Sequence, residues 1–151
     1  MTPDGVYLPS PAQWVRDQVE GYERSNGQKA NTLRDTGLPV IILTTRGAKT
    51  GAVRKSPLMR VEHDGEYALV ASQGGAPTNP KWYGNLIAAP DDVLLQDGPS
   101  PFAVTVREVE GAERDAWWAR AVEAFPPYAG YQARTSRRIP VLVATRAADA
   151  A

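Results

Sequence analysis

The chain has 151 residues, with 17 lysines and arginines against 17 aspartates and glutamates, and no cysteine. That length suits one domain with a real core, and the charge balance removes any global attraction for nucleic acid or anionic lipid. Disulfide scaffolds, thiol nucleophiles and thiolate metal sites are excluded, and no apolar run approaches the roughly 20 residues of a membrane span.

The N-terminus lacks the charged and apolar segments of a secretory signal, so a cytoplasmic protein is expected. Ser10 and Pro11 form a cap and first-turn pair, and Trp14, Gln18 and Tyr22 follow on one face with Val15 and Val19 alongside. This spacing predicts a helix ending near Asn26 and Gly27. Its apolar face suits docking on a core and equally a weak peripheral contact with a membrane.

A polar stretch through Gly37 leads into Val40 to Thr45, whose β-branched content predicts a strand. Val53 to Glu62 reads as a second strand, His63-Asp64-Gly65 as a tight turn, and Tyr67 to Gln73 as a third, giving an antiparallel meander. Between the first two lies a turn bracketed by Gly47 and Gly51 with cations at Arg46, Lys49, Arg54 and Lys55. Glycines permit positive φ and the cations supply charge, so this turn can close on an anion. An ordinary solvated hairpin is the plainer alternative.

Gly74 and Gly75 open a loop to Asn79 and Pro80, which resemble a cap and first-turn proline for a short helix over Lys81 to Ala89. Val93 to Gln96 and Phe102 to Val109 read as further strands around an Asp97-Gly98 turn. Ala112 to Phe125 carries Trp117, Trp118, Ala121, Val122 and Phe125 at helical spacing, assigned to helix packing, and Pro126-Pro127 terminates it. After an aromatic and basic stretch from Tyr128 to Arg138, Ile139 to Thr145 reads as the last strand, with a frayed tail over 146–151. Six short strands and a few peripheral helices predict a β-rich α+β domain, a split β-barrel: helix and linker over 1–39, barrel over 40–145.

No dinucleotide fingerprint or phosphate loop ending in Gly-Lys-Ser/Thr is present. A Ser-His-Asp hydrolase is disfavoured because the one histidine, His63, lies in a turn at the far end of the strand leading to Ser72.

The order of motifs is more specific than any one of them. Thr44-Thr45-Arg46-Gly47-Ala48-Lys49-Thr50-Gly51-Ala52-Val53-Arg54 is followed by Ser56-Pro57-Leu58, Ala71-Ser72-Gln73-Gly74-Gly75 and Asn79-Pro80-Lys81-Trp82-Tyr83-Gly84-Asn85-Leu86. Arg107-Glu108-Val109, Glu113-Arg114, Trp117, Pro127-Tyr128, Tyr131 and Ile139-Pro140-Val141 come next. From about Val40 to Thr145 the chain resembles the deazaflavin-dependent nitroreductases and F420H2-dependent quinone reductases. The resemblance implies a split barrel that uses the deazaflavin coenzyme F420 and no metal. The expected reaction is hydride delivery to a quinone, nitro compound or related small acceptor.

It further implies that Ala48, Lys49 and Thr50 contact the cofactor from the turn and that Arg54, Lys55, Ser56, Pro57, Leu58 and Met59 line it from the next strand. Arg54 and Lys55 are the candidates for its phosphate, because guanidinium and ammonium groups complement anionic oxygens. Val70, Ala71, Ser72 and Gln73 are expected against the ring, where Ser72 can hydrogen-bond ring or acceptor. Lys81, Trp82, Tyr83, Gly84 and Asn85 are expected as contacts from the short helix, although Trp82 fits equally well as a core anchor with Leu86. Tyr128 and Tyr131 form one wall of the acceptor pocket, with Tyr131 orienting the acceptor or donating a proton, a structural role being the alternative for both.

Two positions depart from the family pattern. Ala48 replaces the usual arginine after the first glycine, with Arg46 the nearest cation before it, and Gln73 stands where many relatives have lysine. Both changes weaken the expected grip on the cofactor's glutamate tail. A split barrel using flavin mononucleotide or a biliverdin-like acceptor, and a non-catalytic F420 carrier, remain as alternatives. A homodimer is compatible with this fold class, and nothing in the sequence fixes an interface.

Overall fold

The computed structural model describes residues 5–33 and 36–147. Helix α1 spans Gln13–Arg24, and the strands are β1 (Val40–Arg46), β2 (Val53–Met59), β3 (Glu62–His63), β4 (Glu66–Val70), β5 (Val93–Gln96), β6 (Pro101–Glu108) and β7 (Val141–Arg146). Helices α2 (Lys81–Ala88), α3 (Gly111–Ala124) and α4 (Pro127–Arg134) and a 3-10 turn at Gln73–Gly75 complete the described elements.

All seven strands join one antiparallel sheet in the order β2-β1-β5-β6-β7-β4-β3. Its two ends, β2 and β3, are separated in sequence only by Arg60 and Val61. The Arg60 N–H donates to the Pro39 carbonyl at 3.0 Å and the Ala68 N–H to the Val61 carbonyl at 2.9 Å. A sheet whose first and last strands are halves of one extended segment must curl on itself, and the result is a split barrel. The second expected strand is therefore real but bends at Arg60, which gives seven strands instead of six.

Period-two alternation sorts the core into two layers. Val40 and Ile42 of β1 pack with Val19 and Tyr22 of α1, Trp117 and Ala121 of α3 and Tyr128 of α4. Ile41 and Leu43 pack with Leu69, Leu95, Val104, Leu142 and Leu86 of α2. Because β1 is buried on both faces, its sequence reads as a continuous apolar run. The turn between β3 and β4 places Asp64 at φ 53° and Gly65 at φ 83°, the left-handed pair that a two-residue hairpin requires.

Several local expectations change. The first helix starts at Gln13, while the Ser10 hydroxyl accepts the Ala12 N–H at 3.1 Å just ahead of it. Pro80, not Asn79, occupies the cap position of α2, since the Asn79 side chain is held elsewhere by Arg137. The double proline ends α3 and also begins α4, an element absent from the expectation, with Pro127 as its first residue. Arg146 belongs to β7 and the Ala147 N–H donates to Ala103, so fraying does not begin at 146. The rest of the expected tail, 148–151, lies outside the described residues.

Candidate functional site

A cavity of about 1030 Å³ opens between the β1–β2 turn, β2, the end of β4 and helices α1, α2 and α4. It is lined by Ala48, Lys49, Thr50, Arg54, Lys55, Ser56, Pro57, Leu58, Met59, Val70, Ser72, Gln73, Lys81, Trp82, Tyr83, Gly84, Asn85, Tyr128 and Tyr131. Every candidate residue is thus brought together except Ala71. Ala71 is fully buried off the cavity, its N–H bonded to the Pro140 carbonyl, because it alternates with Val70 and Ser72 at the strand end.

The turn is closed from within. The Gly47 N–H donates to the Ala52 carbonyl at 2.6 Å, the Gly51 N–H to the Gly47 carbonyl at 2.8 Å, and Ala52 N–H to the Thr50 hydroxyl at 3.1 Å. Only Gly51 adopts positive φ, at 71°. At Gly47 a Cβ would lie 3.0 Å from Thr50 Oγ1, a tight contact that a side chain there would have to relieve by shifting the hydroxyl. From α2, Asn85 accepts the Ala48 N–H through Oδ1 at 2.9 Å and donates to Thr45 Oγ1 at 3.2 Å, tying turn and helix together.

The cations divide into two groups. Arg46 pairs with Asp92 at 2.6 Å and donates to the Gly51 carbonyl at 3.0 Å, away from the cavity, so it braces the turn and does not replace the arginine missing at 48. Lys55 lines the cavity but pairs with Glu23 at 2.6 Å and lies 5.0 Å from the Tyr7 ring centre. Lys49, Arg54 and Lys81 line the cavity with no ion-pair partner among the described residues. The cavity lining therefore offers uncompensated positive charge, suited to an anionic ligand.

The other wall is apolar and aromatic. Phe125 and Tyr128 are buried with ring centres 5.0 Å apart, and Tyr131 lies 6.2 Å from Tyr128. Burial, then the neighbouring Tyr131, pushes the Tyr128 phenol well above its ordinary value of 10.0, so it remains a protonated donor at neutral pH. Neither phenol, nor the Ser56 or Ser72 hydroxyl, has a hydrogen-bond partner among the described residues. Tyr83 instead donates to Glu108 at 2.5 Å, a bond that with burial raises its phenol to about 12.

Trp82 combines both readings, packing on the second core layer while lining the cavity. Phe125, assigned to packing by its helical spacing, also lines the cavity, as do Trp14 and Val15 of α1. Their apolar spacing signals a buried face and does not distinguish a core neighbour from a ligand. Trp117 is structural, edge-on to His63 at 6.1 Å. Among the described residues no three His, Cys, Asp or Glu side chains are grouped to hold a metal, and no helix is long and apolar enough to cross a membrane.

A large, partly apolar cavity lined by three cations without ion-pair partners among the described residues fits a ligand with a planar ring and an anionic tail. Comparisons agree with that fit. The family model described as F420H(2)-dependent quinone reductase matches residues 14–146. A protein of Mycobacterium tuberculosis named F420H(2)-dependent quinone reductase is 38% identical over 128 residues, covering 83% of this chain and 85% of that protein. A solved F420-H2 dependent reductase is 53% identical, with a TM-score of 0.66 over 70% of this chain and 93% of that one. Another solved relative, described as a domain-swapped dimer, is 48% identical, with a TM-score of 0.68 over 89% and 99% of the two chains. With a match running from α1 through the last strand and a cavity of the matching chemistry, the chain belongs to the F420H(2)-dependent quinone reductase family.

Proposed function

We propose that this chain reduces quinones, and nitro compounds of similar size, with reduced coenzyme F420 as the electron donor. The observation that carries the reading is the composition of the cavity: Lys49, Arg54 and Lys81, without ion-pair partners among the described residues, share it with an aromatic wall whose phenols are unpartnered.

When bound, the reduced deazaflavin supplies two electrons as a hydride. Lys49, Arg54 and Lys81 would hold its phosphate and tail carboxylates, with Ser56 and Thr50 adding hydroxyl donors. Val70 and Ser72 would face the ring from the end of β4, and Trp82 and Tyr83 from α2. Tyr131 and Tyr128 would hydrogen-bond the acceptor oxygen as negative charge develops there, an interaction strengthened where water is excluded. Two electrons and one hydrogen arrive together as the hydride, so one proton per acceptor completes the reduction, taken from Tyr131, which solvent then reprotonates. Phe125, Val15 and Leu33 would close the apolar side around the acceptor.

Mixing the purified chain with reduced coenzyme F420 and menadione, and following the visible absorbance of the oxidised coenzyme, tests the reading. Turnover is expected with menadione and with a nitroaromatic compound. Binding of flavin mononucleotide in preference to the deazaflavin, or coenzyme binding without oxidation by any acceptor, would reject it. We also propose a homodimer in the cytoplasm, which sedimentation and cell fractionation would check.

A further inference from the structure

Arg137 lies between α4 and β7 and does not line the cavity. Its guanidinium reaches back across the fold. Nε donates to the Ala76 carbonyl at 2.9 Å, Nη1 to the Ala71 carbonyl at 3.1 Å and to Asn79 Oδ1 at 2.7 Å, and Nη2 to the Ser72 carbonyl at 2.8 Å. All four acceptors belong to residues 71–79, the loop that carries Ser72, Gln73, Gly74 and Asn79 to the cavity wall. None is a carboxylate, and Arg137 has no ion-pair partner among the described residues.

The clasped loop is strained. Gln73, a non-glycine, sits at φ 45°, followed by Gly74 at 64° and Gly75 at 83°. Such conformations persist only where surroundings over-determine them, and a planar fork with several donors does this by fixing several carbonyls at once. The same loop abuts α4, since a Cβ on Gly75 would lie 2.8 Å from the Tyr131 carbonyl oxygen. One side chain therefore sets the wall that holds Ser72 relative to the wall that holds Tyr131. Its charge also falls on the carbonyls of Ala71 and Ser72, which share their peptide units with the N–H groups of Ser72 and Gln73. Neither N–H donates to a described backbone carbonyl, and withdrawal of charge toward the guanidinium makes both stronger donors.

Resting on the hydride-transfer reading above, we propose that Arg137 is a positioning residue for the reaction. It holds the Ser72–Gly74 backbone in its strained shape, so that the Ser72 hydroxyl and the Ser72 and Gln73 amides are preorganised for the polar atoms of ring and acceptor. Lys49 and Arg54 are on other elements, and Lys81 follows the clasped loop on α2, which Asn85 ties independently to the basic turn, so tail binding depends little on Arg137.

The test uses Arg137→Lys, which keeps the charge and loses the fork, and Arg137→Gln, which loses both. Thermal unfolding, binding of oxidised coenzyme F420 by its fluorescence, and turnover of reduced coenzyme with menadione are measured for each. For Arg137→Lys, kcat is expected to fall about 10- to 100-fold while coenzyme Kd changes by less than about threefold. Millimolar guanidinium is expected to restore part of the turnover of Arg137→Gln, and methylammonium is not. Unchanged kcat, equal losses in kcat and affinity, or lost turnover without guanidinium rescue would overturn the proposal. Should Arg137→Gln fail to fold, the split between kcat and Kd in Arg137→Lys decides alone. Wild-type protein in the same assay separates the two claims: an inert wild type rejects hydride transfer itself, whereas an active wild type with unaffected variants rejects only the role of Arg137.

Discussion

Asn85 accepts the backbone N–H of Ala48 at 2.9 Å while donating to Thr45 at 3.2 Å, so the middle of α2 and the basic turn are held as one unit. Replacing Asn85 by Ala leaves that N–H and the Thr45 hydroxyl without their partner. A loss of about 1 kcal/mol in stability is expected, with coenzyme affinity falling about tenfold as Lys49 loses its fixed distance from Lys81. Chemical denaturation and fluorescence titration would measure the two effects, and unchanged affinity would reject the coupling.

Arg54 and Lys55 are adjacent in sequence but differently employed. Arg54→Ala should weaken coenzyme binding about tenfold and flatten its dependence on salt, because a free cation is removed. Lys55→Ala should mainly lower thermal stability, by up to about 1 kcal/mol, because it leaves Glu23 unpaired beside Tyr7. Titrations at several ionic strengths would distinguish them, and the reverse order of effects would refute the assignment.

Introducing an arginine at position 48 tests the departure from the family pattern. Ala48 is exposed at the cavity rim and its side chain has room, and Arg46 is committed to Asp92. Ala48→Arg should tighten binding severalfold for a coenzyme with a long glutamate tail, and less for a form with a short tail. Equal gains for both forms would indicate general electrostatics instead of a tail contact.

Gly75→Ala meets both a positive φ and a backbone obstruction. It should destabilise the fold by about 1–3 kcal/mol and depress kcat through displacement of α4. Gly74→Ala also pays for positive φ but meets nothing within 4 Å, so its loss should be smaller. Thermal melts of the two variants provide the comparison.

The Tyr83–Glu108 bond sets a pH signature. Its phenol is raised above 10.0 in the folded chain, so the neutral form is the stabilised one. That contribution is complete below the unfolded value of 10.0 and is lost as pH rises through about 12. Tyr83→Phe should therefore show the same decline in stability over neutral pH as wild type and a shallower one between pH 10.0 and about 12. Identical alkaline unfolding curves would remove Tyr83 from that account.

The strands were legible because alternation and turn chemistry are local, as the Asp64-Gly65 turn shows. Motif order was sufficient to assemble nearly the whole cavity wall. Other features depend on distance. Arg137 and Ser72 are 65 residues apart, and no periodicity marks an arginine as a clasp. Lys55 looked free because its partner Glu23 is 32 residues earlier on a helix of unknown placement. Helix α4 was hidden by Pro126-Pro127, since a proline that stops one helix also serves as the first residue of the next. Ala71 failed for a simpler reason: neighbouring residues at a strand end share no face.

Residues 53–63 supply both terminal strands of the sheet and, through Arg54 to Met59, one wall of the cavity. The seam of the barrel and the seat of the ligand are thus the same stretch of chain. Loosening that stretch to admit a different ligand would also unfasten the barrel, so it is poorly placed for evolutionary change. Helices α1 and α4 touch the cavity without closing the sheet, and variation in acceptor size should accumulate there first.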